Sequence, residues 1–161
     1  MSSTILVIDD EDLFREGICT VLTMEGYEAI AASNGNTGYD LAQKRVPDLI
    51  LCDVNMPDMD GYETLTLLRS DARTSTIPAI LMTGVMKDYS QVRQGMNIGA
   101  DDYIMKPFTI PDLLSTIQSR LLKQETIVKK AESKLEVLRQ NITHSLPHEM
   151  RTPLTALIGY S

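Results

Sequence analysis

Thr4-Ile5-Leu6-Val7-Ile8 is a short, unbroken apolar run that ends in Asp9-Asp10. It has the length of a strand and no alternating polar positions, so both of its faces must be buried. Strands of that kind belong to parallel sheets covered by helices on each side. The pattern recurs along the chain. Tyr27-Glu28-Ala29-Ile30-Ala31 is a weaker strand candidate, Asp48-Leu49-Ile50-Leu51-Cys52 leads into Asp53, Pro78-Ala79-Ile80-Leu81-Met82 leads into Thr83, and Asp102-Tyr103-Ile104-Met105 leads into Lys106-Pro107.

Amphipathic stretches fill the gaps. Residues 12–25 place Leu13, Ile18, Val21 and Leu22 on one expected face, with Gly26 as a C-terminal stop. Residues 36–45 stop before Pro47, residues 61–70 carry Leu65, Leu67 and Leu68, residues 89–98 end at Gly99, and residues 111–123 open on a proline. Strict alternation of strand and helix predicts an α/β fold with a five-stranded parallel sheet.

Composition agrees with one such domain plus an appendage: 161 residues, 43% hydrophobic, 5% aromatic and no Trp. Charge divides the chain. Residues 1–110 hold 17 acidic and 8 basic side chains, a net of −9, and residues 111–161 carry +2. That balance is poorly suited to neutralising nucleic-acid phosphates, so no nucleic-acid partner is expected. Cys19 and Cys52 are isolated, which suits a reducing, cytoplasmic setting. No apolar run approaches the ~20 residues of a membrane span.

Beyond about residue 120 strand signals stop and heptads begin. One seam is Leu114, Leu121, Val128, Leu135 and Ile142, and the other is Ile117, Gln124, Ala131, Leu138 and Ser145. Sustained over roughly four heptads, this predicts a long C-terminal coiled-coil helix that grows out of the last helix of the domain and pairs with a second chain.

Ligands of open parallel sheets bind at the carboxyl ends of the strands. Here those ends carry Asp9, Asp10, Asp53, Thr83 and Lys106. Carboxylates gathered closely need a cation, and oxygen ligands with room for water suit Mg²⁺. One carboxylate must stay free as nucleophile, and Asp53 is the choice because it lies mid-sheet. These groups together suit phosphoryl chemistry: the metal can bridge a carboxylate and one phosphoryl oxygen, and a hydroxyl (Thr83) and an ammonium (Lys106) can hold the others.

Ile8-Asp9-Asp10-Glu11, Asp53 through Gly61, Met82-Thr83-Gly84, Gly99 through Tyr103 and Lys106-Pro107-Phe108 together resemble the response-regulator receiver family. The resemblance covers about residues 3–123. It implies a flavodoxin-like (βα)₅ receiver, phosphorylation on Asp53 from a phosphohistidine, and Mg²⁺ held by Asp10, Asp53 and the carbonyl of Asn55, with Asp9 assisting. It also implies a cis bond between Lys106 and Pro107, and a switch in which Tyr103 swings inward as Thr83 moves to the phosphoryl group. Gly84 stands where the family most often has Ala.

Further on, His148-Glu149-Met150-Arg151-Thr152-Pro153-Leu154 resembles the H-box of sensor histidine kinases. This implies a phospho-accepting His148, proton transfer assisted by Glu149, and Thr152 at a position linked to dephosphorylation of a partner receiver. Pro147 replaces the usual Ser and predicts a bend. The expected division is a receiver at 1–120, a coiled-coil linker helix at 121–145 and a truncated phosphotransfer helix at 146–161, the N-terminal piece of a hybrid histidine kinase. No ATP-binding boxes are present, so the chain as written is not expected to phosphorylate itself. The expected partners are a histidine kinase or phosphotransfer protein and a second copy in a parallel homodimer. A free-standing dimeric response-regulator adaptor and a small-molecule-binding flavodoxin-like domain are the alternatives.

Overall fold

A computed structural model of the chain describes residues 2–84 and 89–145. Strand and helix alternate along it: β1 (Thr4–Ile8), α1 (Asp12–Met24), β2 (Glu28–Ala32), α2 (Gly35–Arg45), β3 (Leu49–Asp53), α3 (Gly61–Ser70), β4 (Ala79–Thr83), α4 (Tyr89–Ile98), β5 (Asp102–Met105) and α5 (Ile110–Ser145). The strands pair in parallel in the order β2-β1-β3-β4-β5, the flavodoxin-like arrangement. Residues up to Leu121 form one compact unit, and a second begins at Leu122.

The continuous apolar runs are explained by burial on two faces. Ile5, Val7, Leu49, Leu51, Ile80 and Met82 meet α1 and α5 through Ile18, Leu22, Leu113 and Ile117. Leu6, Ile8, Ile50, Cys52 and Leu81 point the other way, toward Ala42 of α2 and Leu65 and Leu68 of α3. This is the two-residue alternation of a strand with an apolar layer on each side.

Local signals set the helix ends. Asn34 and Asp60 cap α2 and α3 by accepting the N–H groups of Thr37 and Glu63, each at 2.8 Å. Gly26 follows α1 at φ +93°, a left-handed conformation that suits a residue without a Cβ.

The expected face of α1 needs one correction. Leu13 is 81% exposed, whereas Ile18 and Leu22 are buried. Nine residues separate Leu13 from Leu22, which at 3.6 residues per turn puts them on opposite sides of the helix. Phe14, one residue later, packs on the core instead.

The α5 seam is likewise divided. Ile117 is fully buried in the first unit and Leu114 and Leu121 pack against the same cluster, so this heptad belongs to the chain's own core. Val128, Leu135 and Leu138 are 46%, 51% and 58% exposed.

Candidate functional site

The helices that follow β1 and β3 leave on opposite faces of the sheet, which opens a crevice at the carboxyl ends of these neighbouring strands. Asp9 lies directly beyond β1 and is completely buried. Its Oδ1 accepts the Glu11 N–H at 2.9 Å, and its Oδ2 accepts from the Lys106 ammonium at 2.9 Å. Asp10 beside it is exposed. Asp53 is the last residue of β3 and only 4% exposed, with Oδ1 3.5 Å from Lys106 Nζ. One oxygen from each of Asp9, Asp10 and Asp53 lies within 4.8 Å of the others.

Backbone bonds hold these strand ends in step. The Val54 N–H donates to Met82 O at 2.8 Å, and the Lys106 N–H donates to Thr83 O at 2.7 Å. Thr83 is buried at the end of β4. Gly61 opens α3 so close to β3 that an added Cβ would stand 2.5 Å from the Asp53 carbonyl oxygen. Asn55 sits exposed at the rim, its N–H 3.4 Å from Asp53 Oδ1. The Lys106–Pro107 bond is cis, as the resemblance implies.

Burial, reinforced by the charge of Asp9, pushes the Asp53 carboxyl up to about 6 despite the opposing pull of Lys106 and the Asn55 N–H. Burial pulls the Lys106 ammonium down, but its hydrogen bond to Asp9 and the charges of Asp53 and Asp9 outweigh this and leave it raised. The crowded carboxylates are thus only partly compensated by one lysine. Oxygen donors, with exposed Asp10 open to water, suit a small hard cation that keeps part of its hydration shell.

Tyr103 is half-buried and packs on the core layer that includes α3, beside Tyr62 and Ile98. Its hydroxyl is hydrogen-bonded to Tyr62 and to the Gly95 backbone. Tyr62 and Gly95 escape a reading of the sequence, because they meet Tyr103 from other elements and residue type alone gives no signal of that contact. His148, Glu149 and Thr152 lie outside the described residues.

The model of the response regulator receiver domain matches residues 5–118. The DNA-binding dual master transcriptional regulator RpaA of Synechocystis is 35% identical over 136 residues, covering 84% of this chain and 56% of that protein. The chain spans about half the length of the curated relatives it matches. The signal receiver domain of a signal transduction histidine kinase from Syntrophus aciditrophicus is 34% identical with a TM-score of 0.69, over 76% of this chain and 92% of that one. The receiver domain of the sensor histidine kinase PA1611 from Pseudomonas aeruginosa, described with a magnesium ion coordinated in its active site cleft, shares the fold at 24% identity. Its TM-score is 0.69, over 75% of this chain and 98% of that one.

Proposed function

Because the chain belongs to the response regulator receiver family, we propose that Asp53 is the aspartate on which this two-component receiver accepts a phosphoryl group from a phosphohistidine. The observation that carries this reading is the meeting of buried Asp9 and Asp53, exposed Asp10 and the Lys106 ammonium at one crevice.

An Asp53 carboxylate oxygen attacks phosphorus while the P–N bond to the donor imidazole breaks, and the bonding electron pair leaves with that nitrogen. Asp10, Asp53 and the Asn55 carbonyl, with Asp9 assisting, would hold Mg²⁺; when bound it would supply positive charge against that developing on the phosphoryl oxygens. Lys106 gives its ammonium to one phosphoryl oxygen and Thr83 its hydroxyl to another. Tyr103 moves in concert with Thr83. Incubation with acetyl phosphate and Mg²⁺ tests the assignment: intact mass should rise by ~80 Da, the mass of a phosphoryl group. An unchanged gain in Asp53→Ala would sink it.

The same proposal extends along α5. Residues 1–120 form the receiver, residues 121–145 pair as a parallel coiled coil with a second copy, and residues 146–161 begin a kinase phosphotransfer helix with His148 as acceptor and Glu149 as proton shuttle. The exposed Val128, Leu135 and Leu138 support the pairing, and the H-box resemblance supports the kinase. Beryllofluoride with Mg²⁺ should then change dimer affinity or spin-label distances across the helix pair. The second reading is a free-standing dimeric response-regulator adaptor whose phosphorylated receiver face binds a partner; that curated relatives are described as transcriptional regulators supports a response regulator over a kinase and goes no further. A reading frame that continues into an ATP-binding domain would remove it. No described helix is long and apolar enough to cross a membrane, and a cytoplasmic placement is part of the proposal.

A further inference from the structure

Lys106 has a neighbour that its carboxylate contacts do not explain. Its ammonium lies 4.1 Å from the centroid of the Phe14 ring, on the first turn of α1. The Phe14 ring is braced in turn by Phe108, at a centroid separation of 5.7 Å and an interplanar angle of 68°. Phe108 follows Lys106-Pro107 directly, so one loop supplies both the lysine and the brace for the ring it rests on. Arg15, the next residue on α1, donates to the backbone oxygen of Asp9 at 2.7 Å and ties this helical turn to the end of β1. The turn that carries the ring is therefore tied to Asp9, one of the two carboxylates that Lys106 touches.

We propose that Phe14 is a positioning residue for phosphoryl transfer: the face of its ring carries the Lys106 ammonium and keeps it over the Asp9–Asp53 crevice. This rests on the reading of Asp53 as acceptor and Lys106 as a phosphoryl contact.

The physical case concerns where the ammonium could otherwise go. Lysine has a flexible four-carbon stem and a strongly hydrated head, which extends into water when nothing holds it. The negative face of an aromatic ring attracts a cation, and the attraction grows when water is excluded. The Lys106 side chain is only 20% exposed, so screening is weak. The attraction is also broad in direction. An ammonium that must shift from Asp9 and Asp53 toward an arriving phosphoryl oxygen can slide over a ring face, whereas a hydrogen bond there would have to break. An aliphatic side chain at position 14 would fill the same volume without this pull.

The test uses the full chain with Phe14 replaced by mono-, di- and trifluorophenylalanine, which keep the ring's shape while draining its face of negative charge, and by Leu. Phosphorylation rates with acetyl phosphate and Mg²⁺ are read by intact mass, in native protein and in Lys106→Met, with thermal stability measured alongside. Rates should fall stepwise with fluorination, by about three- to tenfold at the trifluoro and Leu forms, the span of a partly desolvated cation–π contact. The dependence should vanish in Lys106→Met. A flat series, or an equal slope without the lysine, reduces Phe14 to core packing and overturns the proposal. Wild-type protein that gains no phosphoryl mass overturns the receiver chemistry itself and the Phe14 role with it.

Discussion

The Tyr103 hydroxyl fills the space that a Cβ on Gly95 would need. Gly95 lies in α4 and Tyr103 on β5, so the missing side chain forms a seat for the tyrosine between α4 and Tyr62 of α3. Burial, and then the hydrogen bond with Tyr62, push the Tyr103 phenol above its ordinary range, so it stays protonated and able to donate.

Gly95→Ala should therefore expel Tyr103 from this seat. Alanine in a helix interior gains up to ~1 kcal/mol over glycine, so helix propensity alone would stabilise the variant. Any loss of stability must come from the overlap. If inward Tyr103 accompanies the phosphorylated state, the variant should also bind beryllofluoride several-fold more weakly. A fluorine-labelled tyrosine at position 103 that keeps one unshifted resonance in Gly95→Ala would remove the seat from consideration.

Asp53 makes a prediction about pH. Its folded pKa, about 6, lies above the ordinary 3.8. The folded chain thus holds this proton more tightly than the unfolded chain does. Ionised Asp53 costs stability, and the cost is absent below pH ~3.8, grows as pH rises and is complete above ~6. In chelator, Asp53→Asn should raise unfolding free energy by roughly 2–3 kcal/mol at pH 7.5 and by almost nothing at pH 3.8. Urea denaturation at both pH values checks the difference, and an equal gain at the two would contradict it.

In the proposed Mg²⁺ site the same carboxyl is a ligand and must lose its proton first. Mg²⁺ affinity should be level above pH ~6 and fall below it, by up to about tenfold per unit. Asp10→Ala should weaken Mg²⁺ at least tenfold while leaving the chain folded, because Asp10 is exposed and the Lys106 bond belongs to Asp9. Calorimetric titration across pH 5–8 reads both effects.

How much of this was legible in the sequence depends on the distance over which each feature is written. The strand ends are local, so Asp9, Asp10, Asp53, Thr83 and Lys106 stand out in a single reading, and the sheet brings them to one edge. The partners of Arg69 are not local. Its guanidinium donates to Gly99 O at 3.0 and 2.9 Å and to Thr74 O at 3.3 Å, and it pairs with Asp101 at 3.3 Å. Asp101 in turn accepts the Ala79 N–H at 2.8 Å. No spacing rule joins α3 to a turn thirty residues on. Leu13 departs from expectation for a different reason: nine residues of helix set it opposite Leu22, so an apolar side chain there faces water.

Arg69→Met should cost roughly 2–4 kcal/mol, because it strips part-buried carbonyls and Asp101 of their donor together. The loss should appear in global unfolding and leave the mass gained from acetyl phosphate unchanged in the folded fraction. A loss under ~0.5 kcal/mol, the scatter of ordinary surface substitutions, would mean that solvent replaces the guanidinium at little cost.

The stripe on α5 is buried or packed on the core up to Leu121 and exposed beyond it, and substitutions along it should behave differently on each side of that residue. Ile117 is fully buried, so Ile117→Ala should destabilise the receiver by roughly 2–4 kcal/mol through lost burial and the cavity left behind. Leu135 is half exposed within a single chain. Leu135→Ala should leave receiver unfolding unchanged and act on association alone, shifting the sedimentation equilibrium toward monomer. Leu135→Glu together with Val128→Glu should abolish the dimer, because each charge would face its own copy across a parallel seam. The heptad from Leu114 to Leu121 is already spent on the chain's own core, so the seam open to a partner starts near Gln124. A wild-type chain that sediments as a monomer at high micromolar concentration would leave these exposed residues without the partner proposed for them.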